Sequence, residues 1–304
     1  MKKNFIFLLF FTLLANAQKI KTTSGNLVQF NELPSAFVEP RNVDIWLPNG
    51  FDYAGTEKYA VLYMHDGQML LDAETTWNKQ AWEVDATAQK LQSESKTQKF
   101  IVVCIHNIGQ VRHSNYFPQK PFESLTKKTQ DSLYALGGDK PLFGEKVNSD
   151  NYLKYIVSEL KPLIDKTFPV YKDRAHTFIA GSSMGGLISM YAICEYPDIF
   201  GGAACLSTHW PGTFSTENNP IPQAFFEYLK KNLPSPKNHK IYFDYGDQTL
   251  DALYQPYQLK VDAIMKSKGF TVENWITKFF PGKDHSENAW KERLDIPLEF
   301  LLGK

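Results

Sequence analysis

The residues best suited to chemistry are Gly181-Ser182-Ser183-Met184-Gly185. An apolar run, His176 to Ala180, reads as a short buried strand, and Gly186 to Met190 takes up a helical pattern. A serine on a sharp strand-to-helix turn has its hydroxyl exposed at the top of a sheet, where a base can make it a nucleophile. Glycines are needed two residues either side, because a Cβ there would collide with the neighbouring strand or helix. Ser183 has Gly181 and Gly185 in those places, whereas Ser182 would have Ala180 and Met184. Ser183 is therefore the candidate nucleophile.

The elements that must hold such a turn read as alternating strands and helices. Residues 26–30 and 42–47 look like opening antiparallel strands, and Tyr59 to Met64 like a buried one. Lys79 to Leu91 has the pattern of an amphipathic helix with Trp82, Val84 and Ala88 inward. Phe100 to Ile108 is apolar without alternation, as a central parallel strand covered on both faces requires. Residues 109–148 are polar and dotted with Pro and Gly, which predicts a loop insertion over the active-site face. Asp150 to Phe168 reads as a helix with Ser149 as its N-cap. Strands at 201–207, 240–245 and 271–280 follow, with helices near 221–232, 252–268 and 287–302. This order predicts an α/β fold, a mostly parallel central sheet with helices on both faces, whose ligands bind at the carboxyl ends of the strands.

That rule selects partners for Ser183, since in a sheet of this kind the acid and then the histidine follow the serine along the chain. Of seven histidines only His209, His239 and His285 come later. His239 precedes its strand and His209 precedes the candidate acids. His285 follows the last strand and is the candidate base, able to take the serine proton and return it to a leaving alcohol. The acid must follow the strand at 240–245, where Asp247 and Asp251 both qualify; the one not used would suit helix capping. An oxyanion needs two backbone N–H donors. Met184, next after the nucleophile, supplies one, and Gly67 or Gln68 in His65-Asp66-Gly67-Gln68 the other. No third ligand is suitably spaced to make His65 and Asp66 a metal site, and no cofactor is implied.

Composition bounds the setting. Lys2 and Lys3 precede an apolar run, Phe5 to Leu14, and Ala15-Asn16-Ala17, the pattern of an export signal cleaved before Gln18. The run is too short to span a bilayer, which takes roughly 20 residues, so no membrane anchor is expected after cleavage. Residues 1–17 are read as signal peptide and residues 18–304 as one domain, exported to the periplasm or the medium. Without Lys2 and Lys3 the chain keeps 31 basic against 33 acidic side chains, a formal charge of −2. That balance offers nucleic acid no electrostatic footing. Cys104, Cys194 and Cys205 each lie in apolar segments and read as buried free thiols.

Taken together, GSSMGG, LYMHDGQMLL, RHSNYFP, FDYGDQTLDALYQPYQ and PGKDHSENAWKERLDIPLEFLL resemble the putative esterase family of α/β-hydrolases. That family groups enterochelin, feruloyl and acetyl xylan esterases with S-formylglutathione hydrolase. The resemblance runs from about residue 40 to the end. It implies an α/β-hydrolase fold, Ser183 as nucleophile, His285 as base, Asp251 as acid in its Leu-Asp-Ala-x-Tyr context, and Gln68 with Met184 as the oxyanion pair.

Trp77, Arg112, Tyr116 and Trp210 fall on segments expected at the active-site face, which predicts an aromatic-lined pocket for a ring-bearing or sugar-bearing ester. The expected activity is that of a secreted serine esterase acting through an acyl-enzyme on a small-molecule or carbohydrate-linked ester. An acyltransferase or a peptidase would use the same residues. From outside enzymology the alternative is a catalytically silent fold that binds a glycan or a partner protein.

Overall fold

The computed structural model describes residues 20–304, so the export signal expected at residues 1–17 lies outside the described residues. The strands are β1 (Asn26–Leu33), β2 (Arg41–Leu47), β3 (Ala60–His65), β4 (Phe100–Ile105), β5 (Thr177–Ser182), β6 (Gly202–Leu206), β7 (Lys240–Tyr245) and β8 (Trp275–Phe279). They form one sheet in the order β1-β2-β4-β3-β5-β6-β7-β8. β1 with β2 and β2 with β4 pair antiparallel, and every other neighbour pair is parallel.

Every residue of β3, β4, β5 and β6 is buried, which is why their sequences are continuous apolar runs. Their alternate side chains feed two cores, one on each face. Tyr63, Val103, Ile179 and Phe243 point to one, and Leu62, Val102, Phe178 and Tyr242 to the other. β8 is the edge strand and is only partly buried.

The helices are α1 (Val84–Ser93), α2 (Arg112–Tyr116), α3 (Gln119–Glu123), α4 (Lys127–Tyr134), α5 (Ser149–Tyr155), α6 (Lys161–Thr167), α7 (Met184–Glu195), α8 (Ile221–Asn232), α9 (Gln255–Ser267), α10 (Glu287–Lys291) and α11 (Asp295–Leu302). A π-helical turn, Ile156–Leu160, joins α5 to α6.

Several expected boundaries move, each for a local reason. The helix expected from Lys79 begins only at Val84, because Lys79 and Glu83 both take left-handed backbone (φ 57° and 47°). α5 starts at Ser149 itself with Asn148 in the capping position, so Ser149 is not the cap. Residues 109–148 are not an extended loop. They hold α2, α3 and α4, and bury Tyr116, Phe117, Phe122, Leu133 and Phe143 against the core. The polar residues of that stretch mask aromatics spaced too irregularly to show a period. The three cysteines are buried free thiols.

Candidate functional site

Five chain segments meet at the carboxyl ends of the parallel strands. β5 ends at Ser182, and Ser183 takes φ 57° and ψ −120° before α7 begins. A non-glycine residue there is strained, and it persists because the surroundings over-determine it. A Cβ on Gly181 would stand 2.8 Å from the Gly185 carbonyl carbon, and one on Gly186 3.0 Å from Thr208 Oγ1. The Ser183 amide donates to Leu206 O (2.9 Å) and its carbonyl accepts from the His209 amide (3.2 Å). The turn is thus pinned to the end of β6. Ser182 belongs to β5 and is buried.

Beyond β7 a 3-10 turn, Thr249–Leu253, carries Asp251 back beneath the loop that follows β8. Asp251 is fully buried, and its Oδ1 lies 2.6 Å from His285 Nδ1. Its Oδ2 accepts from the Gly246 amide (2.6 Å) and from Ser207 Oγ (2.6 Å). A carboxylate held this way fixes the imidazole with Nε2 directed away from the acid. The His285 amide donates to Thr249 Oγ1 (3.0 Å), and the Trp290 ring stands edge-on to the imidazole at 4.9 Å. Asp247 makes no bond to His285 and caps no helix. Its Oδ1 accepts from the Gly282 amide (2.7 Å) and so tethers the loop that carries His285.

On the opposite side the turn after β3 is drawn tight. Asp66 takes φ 58°, and a Cβ on Gly67 would lie 2.6 Å from the backbone of Cys104. Only glycine fits there, so the turn is compact and Gln68 sits beside the nucleophile's turn. The Gln68 side chain accepts from the Asn107 amide (3.1 Å). Met184 is the first residue of α7, and amides in a first turn have no intrahelical acceptor. The Met184 N–H therefore lacks a helical partner.

Arg112 clasps Asp66 with both arms of its fork (2.7 Å each), and Asn107 adds a third donor (2.6 Å). Burial works against the Asp66 charge, but the guanidinium and these bonds outweigh it and hold its carboxyl below the usual range.

Ser183 and His285 line one cleft of about 660 Å³ together with Gln68, Trp77, Arg112 and Glu287. Among the described residues no hydrogen bond joins Ser183 to His285; the Tyr254 ring stands edge-on to the imidazole at 5.7 Å. Tyr254 in turn meets His209 Nδ1 at 2.8 Å. Burial pushes His209 down to about 3, which makes it a weak base. His239 lies elsewhere, with its ring nitrogens against the carbonyls of Ser235 and Pro197 (2.8 and 2.7 Å). A second hollow of about 710 Å³ includes His239 and none of the candidate catalytic side chains.

The expected pocket residues divide. Trp77 is 85% exposed and stands on the rim of the cleft, and Arg112 lines it while bound to Asp66. Tyr116 and Trp210 do not line it; both are fully buried. Tyr116 packs on His65 and Tyr152, and Trp210 gives its N–H to Gln258 (2.9 Å). Both bulky side chains entered the core because each found partners there. Reading the sequence missed Ser207, Trp290, Arg293 and Tyr254. Ser207 directly follows β6, so the rule that chemistry follows strand ends already pointed to it.

The sheet order, the strained serine turn and the loops gathered at the strand ends define an α/β-hydrolase fold. A family profile described as "Putative esterase" matches residues 35–298, and the chain belongs to that family. Among curated proteins, it is similar to the uncharacterized protein YbbA of Bacillus subtilis. The two are 28% identical over 160 residues, 51% of this chain and 60% of the relative. It is also similar to the endo-1,4-beta-xylanase/feruloyl esterase of Xylanibacter ruminicola. There the identity is 25% over 282 residues, 91% of this chain and 31% of the relative. The matched regions thus span less than two thirds of either curated relative. Among solved structures, the ferulic acid esterase of Anaeromyces mucronatus superposes with a TM-score of 0.61 at 16% identity, covering 93% of this chain and 92% of the other. At that identity the likeness is one of fold.

Proposed function

We propose that the protein is an exported serine esterase in which Ser183 is the nucleophile, His285 the general base and Asp251 the acid. The observation that carries this reading is the buried Asp251–His285 bond of 2.6 Å, set in the same cleft as a serine on a strained strand-to-helix turn. In this reading Ser183 Oγ turns toward His285 Nε2 and attacks the ester carbonyl carbon as the imidazole takes its proton. The carbonyl oxygen becomes an oxyanion facing the amides of Gln68 and Met184. Collapse expels the alcohol, which takes the proton back from His285 and leaves an acyl-Ser183. Water, deprotonated by the same imidazole, then releases the acid and restores the serine.

The cleft supports a ring-bearing substrate. Trp77 offers an open aromatic face, and Asn78, Gln80, Asn107 and Gln68 surround it with amides suited to hydroxyl groups. A small-molecule or carbohydrate-linked ester fits that lining. Labelling with a fluorophosphonate, followed by a panel of aryl, acetyl-sugar and feruloyl esters, tests both parts. Label on Ser183 with turnover of ring-bearing esters is the expected result. A protein that binds such compounds without labelling would be a silent binding fold instead. Export rests on Lys2, Lys3, the apolar run to Leu14 and Ala15-Asn16-Ala17. Intact-mass measurement of the exported protein is expected to show Gln18 at its start, and a membrane-bound product retaining Met1 to Ala17 would refute this. Among the described residues no helix is long and apolar enough to cross a membrane.

A further inference from the structure

Asp251 has a second oxygen turned away from His285, and what surrounds that oxygen is unusually complete. Ser207 Oγ, 2.6 Å away, accepts from Trp290 Nε1–H (2.9 Å) and from Arg293 Nη2–H (3.0 Å). With both its lone pairs taken, the single hydroxyl proton has only Asp251 Oδ2 to go to. Ser207 itself is held at φ 40°, in the left-handed region, by its amide bonds to Asp244 (2.9 Å to the carbonyl oxygen, 3.1 Å to Oδ1). Arg293 forks onto Asp244 (3.1 and 2.9 Å) and stands 4.0 Å from Asp251 Oδ2. The Trp290 ring that donates to Ser207 is the same ring that packs edge-on against His285.

We propose that Ser207, Trp290 and Arg293 form a buried clamp of positioning residues that aims Asp251 and, with Asp244, sets the charge on which His285 draws. The inference rests on the triad reading given above. Asp244, Asp251 and Arg293 are all nearly inaccessible to solvent. Two carboxylates against one guanidinium leave the cluster one positive charge short. His285 supplies that charge when it takes the serine proton, so the transition state is the balanced form. In a poorly screened interior this match favours the imidazolium where bulk water would not. The other titratable groups near the cluster are Tyr242, whose hydroxyl donates to Asp244 Oδ2 (3.0 Å), Tyr254 and His209 beside the imidazole, and Asp284 and Glu287 next to it in sequence.

Ser207→Gly tests the clamp, because glycine adopts φ 40° without steric cost and the turn is preserved. Asp251 Oδ2 then keeps only the Gly246 amide. With p-nitrophenyl acetate, kcat is expected to fall roughly 10- to 100-fold, the worth of one hydrogen bond to a buried charge, with KM unchanged. The acid limb of kcat/KM should also move to higher pH. A carboxylate with fewer donors depends more on the imidazolium, so the pair holds its proton longer. Trp290→Phe keeps a ring edge against His285 but removes the N–H donor, and should show both effects in smaller measure. Wild-type kcat and an unmoved acid limb in Ser207→Gly would overturn the clamp, as would a fall in kcat tracked only by a lower Tm. Fluorophosphonate labelling of the wild type separates the two levels. Failure to label Ser183 would overturn the esterase reading and the clamp with it, whereas labelling with an indifferent Ser207→Gly overturns the clamp alone.

Discussion

Two of the histidine–carboxylate pairs lie to either side of β5 in the sheet, and by their own geometry they are twins. Asp251–His285 and Asp44–His106 both meet at 2.6 Å, and the histidine side chains are 14% and 15% exposed. Placement separates them. Asp251 holds His285 by Nδ1 and leaves Nε2 toward the cleft, whereas Asp44 holds His106 by Nε2. His106 lies against Gly67, under the turn after β3, and is absent from the cleft lining. The second oxygen of Asp251 takes Ser207 and the Gly246 amide, while that of Asp44 takes only the side chain of Gln29 (3.0 Å). A short bond between histidine and carboxylate is therefore no mark of catalysis. Which ring nitrogen is left free, and what it faces, decides.

Mutation can sharpen or break that contrast. The largest effect is expected at Ser183, which the proposed triad assigns to the Asp251–His285 pair alone. Ser183→Ala should lower turnover of p-nitrophenyl acetate roughly 10⁶-fold, and by no less than about three orders of magnitude, while Ser182→Ala keeps most of it. The reverse pattern would move the nucleophile by one residue and undo the reading of the turn.

The pairs themselves come next. Asp251→Asn should cost about four orders of magnitude in kcat by favouring the wrong imidazole tautomer, with Tm little changed. His106→Gln, removing the twin, should cost less than about tenfold in kcat and about 1 kcal/mol of stability. Comparable kinetic losses in the two variants would erase the distinction drawn between them.

Asp247 is expected to give a smaller and purely structural effect. Asp247→Ala frees the Gly282 amide and should lower stability by about 1 kcal/mol, with kcat within a few-fold of wild type. An inactive but folded Asp247→Ala enzyme would return the acid's role to that residue.

The smallest effect is one of pH. Arg112 and Asn107 hold the Asp66 carboxyl below its ordinary value against the cost of burial. A folded-state value below the unfolded one stabilises the protein above the unfolded pKa, near 4, and that stability is lost as pH falls further. Thermal melts from pH 5 to pH 3 should fall more steeply for wild type than for Asp66→Asn. Equal slopes would mean that the Asp66–Arg112 bridge contributes nothing to acid stability.

By itself the sequence pointed to the buried strands of a mostly parallel sheet and to the tight turn at Ser183. Short apolar runs without alternation, bounded by turn residues, fit strands covered on both faces, and the spacing of Gly181, Ser183 and Gly185 fits a tight strand-to-helix turn. These are local constraints, written in consecutive residues. It also placed the chemistry after strand ends, but left Asp247 and Asp251 open until family resemblance favoured one. Only the tertiary structure brought Asp251 to His285, because a 3-10 turn reverses one carboxylate beneath a loop 34 residues away while the other ties that loop down. The same holds for Tyr116, in the long insertion, and Trp210, just after β6, whose places in the chain suggested a pocket. Burial was decided by partners far along the chain, Tyr152 for one and Gln258 for the other, and no local pattern records such partners. The surroundings of Asp251 show this most fully. Ser207, Asp244, Trp290 and Arg293 come from two strand ends and the final helical segment, and their shared charge balance exists only once the sheet has closed around them.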